Sequence, residues 1–177
     1  MLPNILTFFR IISAPILVVI LISTEFKMVL VGLAIFIISS LTDFLDGYLA
    51  RSFNQSSKLG KILDPIADKL LVTCAILSLV SNNIIQEINI LAATLIVIRE
   101  IFISGLREYA RGNFLTVSFL AKVKTFTQFI AIILLIPSDF FDLKIQFIGL
   151  SFLWISAVLS IFTAYQYVRI SLNKNIL

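Results

Sequence analysis

Long apolar runs separated by short polar breaks make up most of the chain. Each run is close to the ~20 residues with which an α-helix crosses a bilayer, and none has the every-second-residue alternation of a membrane β-strand. The runs predict six helices, at about residues 4–23, 28–49, 64–81, 88–109, 118–137 and 145–168. Pro15 lies inside the first run, where we expect it to kink the helix. No break is long enough for a soluble domain, so the pattern predicts one membrane domain over residues 1–177.

Composition agrees with this pattern, since 59% of the residues are hydrophobic and only 14% are charged. Backbone groups inside a bilayer must pair with one another, which favours helices for the apolar runs. Arg10 is the lone positive charge of the first run, and no small-residue cleavage site follows it, so we expect a retained helix rather than a removed signal peptide. A single cysteine and no histidine exclude an intrachain disulfide and a thiolate zinc site.

The charged residues divide into two groups along the chain. The net charge of +4 is modest, so we interpret its placement as a topology signal and not as a sign of nucleic-acid binding. One set of breaks and ends is basic: Arg10, Arg51, Lys58, Lys61, Arg107, Arg111, Lys122, Lys124, Arg169 and Lys174. The other set is mixed: Glu25, Lys27, Glu87, Asp139, Asp142 and Lys144. The sequence therefore predicts an all-α integral membrane protein with six transmembrane helices and both termini in the cytosol.

Four aspartates lie at the basic side of the second and third helices. Asp43 and Asp46 are three residues apart, and Asp64 and Asp68 are four apart, so each pair shares a helical face. The short break between them predicts antiparallel neighbouring helices whose acidic faces meet. A cluster of carboxylates suits hard cations such as Mg²⁺, Mn²⁺ or Ca²⁺. Four carboxylates have enough oxygens for two ions, an arrangement typical of phosphoryl transfer.

Helix capping and ion pairing are the structural alternatives for these aspartates. Asp64 followed by Pro65 is a favourable N-cap and first-turn pair, so we expect Asp64 to cap the third helix as well as to bind. Arg51 or Lys69 can pair with another carboxylate. For the basic residues Lys58, Lys61, Arg111 and Lys174, orientation of the chain in the membrane is a sufficient explanation.

The aspartates belong to a longer pattern of fixed spacing, D-x2-D-G-x2-A-R-x8-G-x3-D-x3-D. Its eight positions are all matched, at Asp43, Asp46, Gly47, Ala50, Arg51, Gly60, Asp64 and Asp68. The pattern resembles the signature of the CDP-alcohol phosphotransferase family. The resemblance implies that an alcohol attacks a CDP-linked lipid at two Mg²⁺ or Mn²⁺ ions and releases CMP.

The same resemblance implies a role for each site residue. Asp43 and Asp64 would bridge the two ions. Asp46 would complete the coordination of the first ion, and Asp68 would complete that of the second. Asp68 would also be the general base. Gly47, Arg51 and Ser57 resemble the family's contacts to CDP, and Arg51 is suited to phosphate because its planar fork bonds two oxygens.

The acceptor alcohol has its own candidate residues. Arg99 and Glu100 lie midway along the fourth helix, where charge is costly and is expected to face the protein interior. A structural pair, between these two or with another helix, is one explanation. The other is a cationic pocket formed by Arg99, Arg107, Lys122 and Lys124, which an acceptor with a phosphate group requires.

The flanking segments favour one acceptor. Residues 3–10, 99–108 and 122–128 resemble the bacterial branch of the family that uses sn-glycerol 3-phosphate. This implies CDP-diacylglycerol as donor, phosphatidylglycerol phosphate as product, a homodimer, and an inner-membrane enzyme with its site at the cytosolic face. Asn4 and Thr7 are interpreted either as nucleotide contacts or as N-caps. Inositol phosphate or phosphatidylglycerol as acceptor, and a small transporter, remain the alternatives; a transporter would place its acidic residues nearer the midplane.

Overall fold

The computed structural model is helical along most of the chain. It describes the backbone of residues 2–23, 25–53, 58–109 and 119–173, and the side chains of residues 7–23, 25–42, 63, 66–67, 69–106 and 119–171. Within these ranges there are six α-helices, one short 3₁₀ helix and no strand. The prediction of an all-α protein is confirmed for the described part of the chain.

The six α-helices follow the six predicted apolar runs. The first three are α1 (Leu2–Leu21), α2 (Phe26–Phe53) and α3 (Lys58–Ser81). The next three are α4 (Asn89–Tyr109), α5 (Phe119–Leu135) and α6 (Leu143–Asn173), with a 3₁₀ turn at Ser138–Phe140 between α5 and α6. Pro15 lies inside α1 as predicted. The break between α2 and α3 is shorter than predicted, because α2 continues to Phe53 and α3 already begins at Lys58.

The chain forms two compact units. Unit 1 comprises Met1–Ile84 and Ile136–Asp142, and unit 2 comprises Ile85–Leu135 and Leu143–Leu177. Unit 1 therefore contains α1, α2, α3 and the 3₁₀ turn, whereas unit 2 contains α4, α5 and α6. The four aspartates belong to unit 1 and the candidate acceptor cations to unit 2.

Helix α1 is the main packing partner of both other helices in unit 1. Its buried face repeats every three or four residues through Thr7, Arg10, Ala14, Leu17 and Leu21, each at most 2% exposed, which is the period of one helical stripe. The hydroxyls of Ser13 on α1 and Ser39 on α2 lie 3.1 Å apart. Helices α2 and α3 also touch, as expected for neighbours, but each contacts α1 far more extensively.

Helix α6 packs against both α5 and α4 in unit 2. Gly149 permits close approach of α6 to α5, because a Cβ atom there would come within 2.8 Å of the Leu135 Cγ atom. Toward the other end, Ile103 and Leu106 of α4 form a buried apolar cluster with Tyr167 of α6. At the start of α4, the Asn89 side chain accepts a hydrogen bond from the Trp154 indole of α6 at 2.9 Å.

Two helices have the length and hydropathy of membrane spans. They are Asn89–Leu106 in α4 and Leu143–Ser171 in α6, and shorter apolar stretches lie at Thr7–Leu21, Phe26–Thr42 and Lys69–Ser81. Only 39% and 33% of the spans' most apolar windows is buried, so most of their apolar surface faces outward. A soluble protein rarely exposes so much contiguous apolar surface. Both helices are therefore long and apolar enough to cross a membrane.

Candidate functional site

The aspartate signature lies on two helices of unit 1. Asp43 and Asp46 are in α2, and Asp64 and Asp68 are in α3. Because both helices are continuous through these positions, each pair occupies one face of its helix, as the spacing predicted. The side chains of the four aspartates lie outside the described set, so their meeting in one cluster stays a prediction.

The expected N-cap at Asp64 is wrong. Helix α3 begins at Lys58, so Asp64 lies in its second turn and Pro65 follows inside the helix. Lys58, Leu59 and the residues from Lys61 to Leu63 are good helix formers, and they extend the helix past the local start signal of Asp-Pro. Proline there removes one intrahelical hydrogen bond. Asp64 is consequently not engaged as the helix cap.

The candidate nucleotide contacts are distributed over α1 and α2. Gly47 and Arg51 lie in the last two turns of α2, on the same helix as Asp43 and Asp46. Thr7 lies in α1 and is 1% exposed. Asn4 is also inside α1, since the helix begins at Leu2; the N-cap alternative is therefore wrong for both Asn4 and Thr7.

Some predicted residues fall outside the described part of the chain. Ser57 precedes α3 in the undescribed range 54–57. The backbone of Arg107 lies in the last turn of α4, but its side chain is not among those described. Among the described side chains, no group of three Asp, Glu, His or Cys residues is placed to hold a metal ion; the four signature aspartates are not members of that set.

A cluster of charged side chains is buried in unit 2. Lys124 of α5 donates to the Oε1 atom of Glu100 on α4, and Arg99 Nη1 lies 3.5 Å from the same oxygen. Arg99, Glu100 and Lys124 are 9%, 8% and 2% exposed. The structural pairing that the sequence left open for Arg99 and Glu100 is therefore present, and it includes a third partner from α5.

Helix α6 supplies two further contacts of Arg99. The Nη2 atom donates to the Thr163 hydroxyl at 2.9 Å, and Nε donates to the Ser160 carbonyl at 3.3 Å. The cluster thus joins all three helices of unit 2. Charge-assisted hydrogen bonds of this kind satisfy a buried guanidinium that apolar helix surfaces would leave unpaired.

The polar face of α6 was not predicted from the sequence. Its buried hydroxyl residues recur at intervals of three or four positions: Ser156, Ser160, Thr163, Tyr167 and Ser171. This spacing marks one helical face, and it was the available signal within a run that otherwise appears uniformly apolar. The same face contacts α5, where Ser156 Oγ lies 3.4 Å from the Lys124 carbonyl oxygen.

The other acceptor candidate, Lys122, lies in a different environment. It is exposed in the first turn of α5, whereas Lys124 two residues later is buried. Glu100 was expected from the sequence to form a structural pair with Arg99 or a pair with another helix. Its contact with Lys124, 24 positions away, makes it the central anion of the cluster.

Known proteins are similar to this chain along most of its length. A family model described as CDP-alcohol phosphatidyltransferase matches residues 1–162. A protein of Rickettsia bellii (strain RML369-C), named CDP-diacylglycerol–glycerol-3-phosphate 3-phosphatidyltransferase, is 40% identical over 172 residues, which cover 95% of this chain and 93% of the relative. A protein of the same name from Salmonella choleraesuis (strain SC-B67) is 36% identical over 169 residues, covering 93% of this chain and 91% of the relative.

Proposed function

Because the chain belongs to the CDP-alcohol phosphatidyltransferase family, we propose that it transfers a phosphatidyl group from CDP-diacylglycerol to sn-glycerol 3-phosphate. The products are phosphatidylglycerol phosphate and CMP. One observation carries the proposal: the complete eight-position signature lies on two helices of one compact unit, with both aspartate pairs at helical spacing. The acceptor is supported by the names of relatives that align along nearly the whole chain.

The donor set suits two divalent ions. Asp43, Asp46, Asp64 and Asp68 provide oxygen ligands only, which are preferred by Mg²⁺ and Mn²⁺. We assign Asp43 and Asp64 to both ions, Asp46 to the first and Asp68 to the second. When bound, such ions neutralise the pyrophosphate and stabilise the oxygen that leaves with CMP.

The acceptor hydroxyl of glycerol 3-phosphate forms the new P–O bond at the phosphorus nearer the lipid. The bond from that phosphorus to the bridging oxygen breaks, and CMP leaves with the bonding electrons. Asp68 accepts the proton of the hydroxyl as general base. The proton thus passes to Asp68, the phosphatidyl group passes to glycerol 3-phosphate, and CMP is the leaving group.

Residues of α1 and α2 bind the nucleotide in this proposal. Arg51 bonds phosphate oxygens through its planar fork, and Gly47 leaves room for close approach of the nucleotide to α2. Ser57, Asn4 and Thr7 complete the contacts to CDP. Arg51 lies eight positions after Asp43 in one continuous helix, about two turns further along it.

The cations of unit 2 bind the acceptor phosphate. Lys122 is exposed and Arg107 occupies the last turn of α4, so neither has to break the buried contacts of the Arg99–Glu100–Lys124 cluster. Arg99 and Lys124 add positive potential from inside the unit. A buried charge acts at lower effective dielectric than a solvated one, which strengthens its attraction for an anion.

The proposed arrangement in the membrane follows from charge. Six helices span the bilayer as one domain of residues 1–177, and both termini and the aspartates lie at the cytosolic face of the bacterial inner membrane. Acyl chains of the donor then stay in the bilayer while its CDP head reaches the site. We further propose a homodimer, which chemical crosslinking of the purified protein tests directly.

CMP release by aspartate variants tests the proposed site. Asp64→Asn and Asp68→Asn should each abolish CMP release while the protein stays folded in detergent. Asp142→Asn is the matched control, because Asp142 is an exposed aspartate outside the signature. Native activity in either signature variant would refute the two-ion site.

A further inference from the structure

Unit 1 contains a polar cavity far from the aspartate signature. Its volume is about 430 Å³, and its polar rim consists of Ser23, Ser81, Asn82, Asn83 and Asp139. Val29, at the same end of α2, also lines it. The 17 helical positions from Val29 to Asp46 correspond to about 25 Å, so the cavity and the signature lie near opposite ends of the helix.

The rim of this cavity carries negative potential. Helix α1 ends at Leu21 and α3 ends at Ser81, whereas α2 begins at Phe26, so the partial negative charge of two helix C-termini at the rim is offset in part by the N-terminus of α2. Asp139 adds a full carboxylate. Together these groups favour a cation.

Hydrogen bonds hold the rim in place. Asn83 has φ 57°, and it ends α3 with bonds from its own N–H to the Val80 carbonyl and from the Ile84 N–H to the Leu79 carbonyl, the pattern of a Schellman cap. The Asn82 amide nitrogen donates to the Leu21 carbonyl at 2.6 Å. That bond leaves the Asn82 carbonyl oxygen as a fixed acceptor.

The floor of the cavity is apolar. Val29, Ile84 and Ile136 line it and are at most 4% exposed. On its edge, the Phe140 ring lies 5.0 Å from that of Phe26. A volume of about 430 Å³ is in the ~300–1,000 Å³ range of small-molecule sites. Polar rim and apolar floor together suit an amphiphile that enters from the bilayer.

We propose that this cavity binds the head of a phospholipid that carries a primary ammonium group. The ammonium donates hydrogen bonds to Asp139 and to the asparagine carbonyl oxygens, whereas a quaternary ammonium has no N–H to donate. A divalent ion is disfavoured, because the rim offers a single carboxylate among its described lining residues and such ions prefer several oxygen ligands.

Native mass spectrometry of the full-length purified protein tests the proposal. Phosphatidylethanolamine and phosphatidylcholine with identical acyl chains are added in equal amounts. The wild type should retain the ethanolamine lipid ~10-fold more than the choline lipid, the scale of one charge-assisted hydrogen bond. Asp139→Asn should lose this preference. Soluble glycerophosphoethanolamine, added alone, should bind far more weakly, because it lacks the acyl chains.

Two further variants keep the test decisive. Asp142→Asn makes the same charge change at an exposed aspartate that does not line the cavity, and it should retain the preference. Ser81→Leu places a larger apolar side chain at the rim of the cavity and should retain less of the ethanolamine lipid, while CMP release shows that the protein is folded and that its catalytic site is intact. Equal retention of both lipids by the wild type, or equal loss in Asp139→Asn and Asp142→Asn, would overturn the proposal.

Discussion

Lys124 of α5 donates a hydrogen bond to the Glu100 carboxylate of α4, and both side chains are buried, at 2% and 8% exposure. Removing one partner from a buried ion pair costs about 3–5 kcal/mol, because the other charge stays in a medium that solvates it poorly. Glu100→Gln should therefore lower the free energy of unfolding by about that amount. Denaturant titration of the protein in mixed detergent micelles measures the loss.

The double variant Glu100→Gln with Lys124→Gln separates charge from packing. It should be more stable than the sum of the single losses indicates, because the Lys124 charge no longer stays buried once Glu100 is neutral. Glu87→Gln, at an exposed position, is the control and should be close to neutral. If the losses in unfolding free energy of Glu100→Gln and Lys124→Gln simply add in the double variant, the pair does not stabilise unit 2.

Thr163 provides a second test of the same cluster. Its hydroxyl accepts from Arg99 Nη2 at 2.9 Å, and Thr163→Val removes this acceptor at nearly constant volume. We expect a loss of about 1.5–3 kcal/mol in unfolding free energy, the range for hydrogen bonds to charged groups. Thr163→Ser retains the hydroxyl and should lose less, and Thr94→Val, on the exposed face of α4, should be nearly neutral. A Thr163→Val protein with the same unfolding free energy as the wild type would contradict a stabilising hydrogen bond between Arg99 and Thr163.

Two glycines test the packing of α6 on α5. A Cβ atom at Gly149 meets Leu135 Cγ at 2.8 Å, whereas one at Gly105 meets nothing within 4 Å. Gly149→Ala should therefore destabilise by about 1–3 kcal/mol through overpacking. Gly105→Ala should stabilise by about 0.5–1 kcal/mol through helix propensity. Melting temperatures of the two variants should shift in opposite directions, and shifts of the same sign would argue against close packing at Gly149.

The helices could be predicted because apolar runs and polar breaks are local features. The start of α3 could not, since Asp64-Pro65 is a strong N-terminal signal and the helix formers before it prevail. Ser160 and Thr163 were overlooked because isolated hydroxyls in an apolar helix carry little signal until their common face is recognised.

The chemistry of the site was also only partly predictable. The signature from Asp43 to Asp68 identifies the family by spacing alone, and the family match confirms it. The partner of Glu100 lies on another helix, at Lys124, and no local pattern specifies such a contact. The sequence therefore left Arg99 open between a structural pair and an acceptor contact.

The acceptor cations make a kinetic prediction. Lys122→Gln and Arg107→Gln should each raise KM for glycerol 3-phosphate ~10-fold, the scale of a hydrogen bond to a charged phosphate, and leave KM for CDP-diacylglycerol nearly unchanged. Lys144→Gln is the control, because Lys144 is exposed and belongs to the opposite set of predicted loops. Equal changes in KM for both substrates would exclude a specific role in acceptor binding.

The proposed reaction is tested most directly by CMP release from CDP-diacylglycerol by the purified protein, measured with glycerol 3-phosphate, inositol phosphate or phosphatidylglycerol as acceptor. Each reaction is run with Mg²⁺, with Mn²⁺ and with a chelator. We expect release that depends on glycerol 3-phosphate, yields phosphatidylglycerol phosphate and stops when the chelator is added. Release that requires inositol phosphate or phosphatidylglycerol, and does not occur with glycerol 3-phosphate, would contradict the proposed acceptor.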